Sequence, residues 1–70
     1  MNITKLKGMC EGLPLRAGLY SDTRSGCIME LRNEISFLEG VWMDLPKNSK
    51  EAKENERLVE ILEGLITSVK

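Results

Sequence analysis

Ile3, Leu6, Met9, Cys10 and Leu13 recur at intervals of three and four residues, which places them on one face of a helix that turns every ~3.6 residues. Asn2 is a residue type that caps such a helix, and Gly12 with Pro14 supplies the usual stop. The pattern predicts a first helix over residues 3–11, weakened by Gly8 at about 1 kcal/mol relative to alanine. A second stripe follows at Cys27, Ile28, Leu31, Ile35 and Leu38, with Glu30, Arg32, Asn33, Ser36 and Glu39 largely opposite. With Ser25 as its expected N-cap and Gly40 at the position after its last turn, it predicts a helix over 27–39. A third stripe, Leu58, Ile61, Leu62, Leu65, Ile66 and Val69, predicts a helix over 49–69. Asn48 with Glu51 three residues later resembles a capping box at its start. Its first half, Lys50 to Arg57, is almost wholly charged apart from Ala52, and its second half is broadly apolar.

Two connectors separate these stripes. Between Leu15 and Gly26 the periodicity vanishes, and the residues Arg16-Ala17-Gly18-Leu19-Tyr20-Ser21-Asp22-Thr23-Arg24-Ser25-Gly26 are dense in types that bond their own backbone, which predicts an ordered loop or tight hairpin. Trp42, Met43, Leu45 and Pro46 form an apolar connector expected to fold back over the core. The expected fold is all-α, a small three-helix domain spanning residues 1–70 as one unit.

Length changes the picture. A chain of 70 residues buries only roughly 60% of the surface its unfolded form exposes, and scaffolds this small usually need disulfides, a metal, unusually good helix packing or self-association. There is no histidine, and Cys10 and Cys27 are the only cysteines, too few ligands for a structural zinc site. No metal and no cofactor are expected. The first residues lack the apolar stretch of a secretory leader, from which we expect a cytoplasmic setting with two free thiols, although a Cys10 to Cys27 disulfide is arithmetically open. Self-association then becomes the expected source of stability, a homo-oligomer whose contact includes Leu58, Leu62 and Leu65. Apolar runs of a few residues exclude a membrane span. A net charge of −1 argues against binding a DNA or RNA duplex, which relies on a clustered basic excess.

Candidate chemistry is sparse. Without histidine the commonest nucleophilic triads are absent, and no catalytic residue is expected. The pairs Glu30 with Glu34 and Glu56 with Glu60 lie one turn apart, as acids on a solvated helix face ordinarily do. Cys27, beside Gly26 near an expected helix N-terminus, is either a reactive thiol or a small buried residue. Arg16 and Arg24 flank hydroxyls at Ser21, Thr23 and Ser25 and the amides that open the second helix, a set suited to a phosphate or carboxylate. Tyr20 and Trp42 offer rings for stacking or for closing a small core.

The segments Leu13-Pro14-Leu15-Arg16-Ala17-Gly18-Leu19-Tyr20, Ser25-Gly26-Cys27-Ile28-Met29-Glu30 and Leu38-Glu39-Gly40-Val41-Trp42-Met43-Asp44-Leu45-Pro46 resemble a family of small uncharacterised phage and bacterial proteins. That family has a Gly-x-Cys-x-Met-Glu helix start, a Gly-Glu helix end and a Trp-x-Asp-x-Pro turn. The resemblance covers about residues 13–46. Here the helix start is one residue shorter, Glu39-Gly40 inverts the family order, and Tyr20 stands where the family is expected to have histidine. The resemblance implies phage origin and a protein that acts against host defence by binding, in the host cytoplasm. The residues and the resemblance together predict a non-enzymatic protein that sequesters a small phosphorylated or nucleotide-like anion at Arg16, Tyr20, Ser21, Thr23, Arg24, Ser25 and Trp42, in a pocket completed by assembly. The alternative is an inhibitor that binds a host protein through an exposed helix, with the charged Lys50 to Arg57 segment the candidate.

Overall fold

The three stripes become three helices in the computed structural model, which describes residues 2–69. Helix α1 spans Ile3–Cys10, α2 Arg24–Met43 and α3 Lys50–Val69, and no strand occurs among the described residues. Asn2 caps α1 as expected, its side-chain oxygen accepting from the Lys5 amide at 2.8 Å.

Helix α2 is longer at both ends than its stripe predicts. At the start, the cap is Thr23 and not Ser25: Thr23 Oγ1 accepts from the Gly26 amide at 3.1 Å, and Ser25 lies inside the first turn. At the end, Gly40 does not stop the helix, which continues through Val41, Trp42 and Met43. The first half of the apolar connector, Trp42 and Met43, is therefore helix. A glycine terminates a helix when the backbone there turns left-handed, and no residue described here has positive φ. The stop comes instead at Asp44, where the amides of Asp44 and Leu45 bond back to Val41 and Trp42. Pro46 then prevents continuation, because it has no amide and disfavours helical geometry in the residue before it.

The cap of α3 is Ser49, one residue after the expected Asn48. Ser49 Oγ accepts from the Ala52 amide at 3.1 Å and donates to the Pro46 carbonyl at 2.6 Å. A capping box would need an acid at position 52, which is instead the fully buried Ala52. Glu51 still lies in the first turn, where its charge opposes the positive end of the helix dipole.

Helices α2 and α3 form an antiparallel hairpin. Arg32 and Ile35 face Ile66 and Thr67 at one end, and Glu39 and Trp42 face Asn55 and Val59 at the other. Twenty residues of helix span about 30 Å, which accounts for a molecule 37 × 18 × 16 Å across. Helix α1 lies on this hairpin through Leu6 and Cys10, and the core joins them to Cys27, Leu31 and Leu38 of α2 and to Leu58, Leu62, Leu65, Ile66 and Val69 of α3. Leu13, Leu15 and Leu19 from the first connector pack against the same cluster. The α3 stripe is thus covered within one chain. Leu58, Leu62 and Leu65, expected to form a contact between copies, are buried among α1, α2 and the connector, and of that stripe Ile61 faces outward, 41% exposed.

Candidate functional site

The connector between α1 and α2 is ordered by carboxylates from α2. Glu34 Oε2 accepts from the Arg16 amide at 2.9 Å. One turn earlier, Glu30 accepts from the Tyr20 amide at 3.0 Å and from the Ser21 amide at 3.1 Å, one through each oxygen. Glu34 is 4% exposed, and a carboxylate that deep needs such donors to offset its lost hydration. The pair expected to be an ordinary solvated one is therefore the clasp of the loop. Sequence spacing hides this, because the partners lie between 9 and 18 residues away.

Two of the loop's hydroxyls, those of Ser21 and Thr23, bond one another, while Asp22 pairs with Lys7 of α1 at 3.7 Å. Ser21 Oγ lies 3.1 Å from Thr23 Oγ1 and accepts from the Thr23 amide at 3.2 Å, while Thr23 Oγ1 caps α2. A side chain at position 26 cannot enter this knot: a β-carbon on Gly26 would overlap Ser21 Oγ and stand 2.6 Å from Ser21 Cβ. The Gly26-Cys27 start of α2 is thus a close-approach requirement and not one of dihedral freedom. Cys27 is fully buried, and its thiol donates to the Ser21 carbonyl at 3.4 Å. Cys10 is also free and buried, and burial, together with the Cys27 thiol nearby, pushes its pKa up. Burial makes both poor candidates for reactive thiols.

The residues expected to share one anion pocket are spread along α2. Arg24 and Ser25 occupy its first turn. Tyr20 and Ser21 are held beside Glu30, with the Tyr20 ring 79% exposed. Arg16 is held at Glu34, and its guanidinium lies 4.5 Å from the centre of the Phe37 ring. Phe37 comes thirteen residues after Arg24, about 20 Å along the axis, and Trp42 is about 27 Å from Arg24. Arg16, Arg24 and Trp42 do not converge.

Trp42 belongs to the opposite end of the hairpin. Its indole nitrogen donates to Glu56 Oε2 at 2.8 Å. The Lys47 ammonium lies 3.7 Å from the centre of its ring and donates to the Trp42 carbonyl, a cation–π arrangement closed by a hydrogen bond. Beside it, Glu39, Trp42, Asn55, Glu56, Val59 and Glu60 line a recess of about 250 Å³. On the other side of Asn55 lies a larger groove of about 610 Å³, in which Leu13, Pro14, Val41, Leu45, Leu58 and Ile61 supply the apolar wall. Glu51, Glu54 and Arg57 rim it. Val41 and Ile61 are 36% and 41% exposed. Asn55 borders both depressions, and its Oδ1 is a buried acceptor with no hydrogen-bond partner among the described residues. Only the charge of the Lys50 to Arg57 segment hinted at this region.

Among the described residues no group of His, Cys, Asp and Glu is placed to hold a metal ion, and no helix is long and apolar enough to cross a membrane. No family model, curated protein or solved structure matches the chain.

Proposed function

We propose that this chain is a non-catalytic binding protein that docks a partner polypeptide in the groove between the C-terminal half of α2 and the N-terminal half of α3. The observation that carries the reading is the contrast in unmet bonding. The Arg16 to Gly26 loop has the amides of Arg16, Tyr20 and Ser21 taken by Glu34 and Glu30, and the Ser21 and Thr23 hydroxyls taken by each other and by the α2 cap. An anion arriving there would meet the half-buried Glu30 carboxylate beside the amides it holds. The groove keeps half-exposed Val41 and Ile61 and an acceptor, Asn55 Oδ1, without a donor. Of the two expectations from the sequence, the exposed helix of α3 therefore has more support than the nucleotide pocket, and the resemblance to small phage proteins would make the partner a host protein.

The test is affinity capture from bacterial lysate with wild-type, Ile61→Asp and Arg24→Ala baits, followed by reconstitution of the captured partner from purified components and by calorimetry against linear and cyclic nucleotides. The expected result is a partner that binds the wild type and Arg24→Ala directly, is lost with Ile61→Asp, and is accompanied by no nucleotide heat. A nucleotide that binds the wild type and not Arg24→Ala overturns the reading in favour of the loop.

A further inference from the structure

We infer that the groove's occupant is a basic amphipathic helix, with aliphatic side chains against Val41, Leu45, Leu58 and Ile61 and with lysine or arginine reaching the Trp42 recess. The inference rests on the docking reading above and specifies its partner. The fold dictates the manner of contact first. The described residues contain no strand, so they offer no sheet edge for backbone pairing, and an apolar groove between two helices suits a partner helix read by its side chains.

Charge then selects the partner. The groove and the recess together are lined by Glu39, Glu51, Glu54, Glu56 and Glu60, against Arg57 alone. Counting Lys47 on the Trp42 ring and Lys50 beside Glu54, that face carries a formal −2 in a chain whose total is −1. Glu54 is engaged only by Lys50, at 3.8 Å and in solvent. Glu39 and Glu60 make no hydrogen bond or ion pair among the described residues. A guanidinium or ammonium entering the recess would meet these carboxylates, which accept its N–H groups. The indole is already a cation platform for Lys47.

The same charge argues against other occupants. Phosphate backbones and anionic lipid headgroups are repelled by it. A second copy bound about a twofold axis would set this patch against itself, acid against acid.

Trp42 is the single tryptophan, so its fluorescence reports the recess directly. The probe is a designed amphipathic peptide of about eighteen residues, leucine on one face and arginine on its flanks, compared with versions in which the arginines become glutamine or glutamate. Titrations follow Trp42 emission and calorimetric heat, with circular dichroism verifying that each protein variant stays helical. The expected result is binding of the arginine peptide about tenfold tighter than the glutamine version, weakening with salt, and none of the glutamate version. Ile61→Asp abolishes binding, and the double variant Glu39→Gln with Glu60→Gln weakens it about tenfold and flattens its salt dependence. Equal affinity for all three peptides, or no binding of any, overturns the inference. So does sedimentation showing wild-type dimers that Ile61→Asp converts to monomers, since the occupant is then a second copy. If a reconstituted natural partner requires Ile61 and ignores the Glu39 and Glu60 changes, docking stands and the basic partner does not.

Discussion

The connector between α1 and α2 and the open end of the α2–α3 hairpin hold similar raw materials and use them oppositely. Both bring together glutamates, an aromatic ring and a cation placed over that ring. In the connector, Glu30 and Glu34 reach amides of their own chain, Arg16 covers Phe37, and the hydroxyls close on each other. At the hairpin end, Glu56 meets the indole and Lys47 covers it, but Asn55 holds an enclosed acceptor without a donor among the described residues, beside an uncovered apolar wall. A segment rich in glycine, serine and arginine looks adhesive in sequence because each residue type can bond. What remains adhesive in the fold is whatever bonding its own chain leaves undone.

Five substitutions break or sharpen that comparison. The largest effect belongs to the shared core: Leu62 is fully buried and Ile61 is 41% exposed. Leu62→Ala is expected to cost about 2–5 kcal/mol and Ile61→Ala less than about 1 kcal/mol, read from urea unfolding midpoints at constant slope. Similar losses at the two positions would mean that Ile61 is covered in solution. Next is the clasp. Glu34→Ala strips the Arg16 amide of its partner in a part-buried site, an expected loss of about 1–3 kcal/mol, accompanied by faster amide hydrogen exchange at Arg16 and no change at Trp42. If exchange accelerates at both ends together, the two regions are not independent. The smallest effect separates two neighbouring caps: Thr23→Ala is expected to cost about 1 kcal/mol and Ser25→Ala about half a kcal/mol or less, and a reversed order would place the start of α2 at Ser25.

Spacing alone made the three helices legible, because each stripe meets the core on one side. The ends were not legible where a stop depends on tertiary geometry. Gly40 is a permissive residue that nothing obliges to turn, and Thr23 outcompetes Ser25 because Ser21 steadies its hydroxyl. The α3 face looks too wide for its neighbours in the sequence because Leu15 and Leu19 fall in an aperiodic segment, yet both turn inward to the core beside Leu13. The candidate site was the least legible part. Its acceptors and donors come together from separate elements, and Asn55, in a run of charges, carries no sign that its oxygen will be enclosed.

The short connection between α2 and α3 has a consequence in time. Most of the core joins helices that are near neighbours in the chain, and topologies dominated by such local contacts fold in microseconds to milliseconds. A newly made chain therefore exposes its leucines only briefly once all three helices are free to pack.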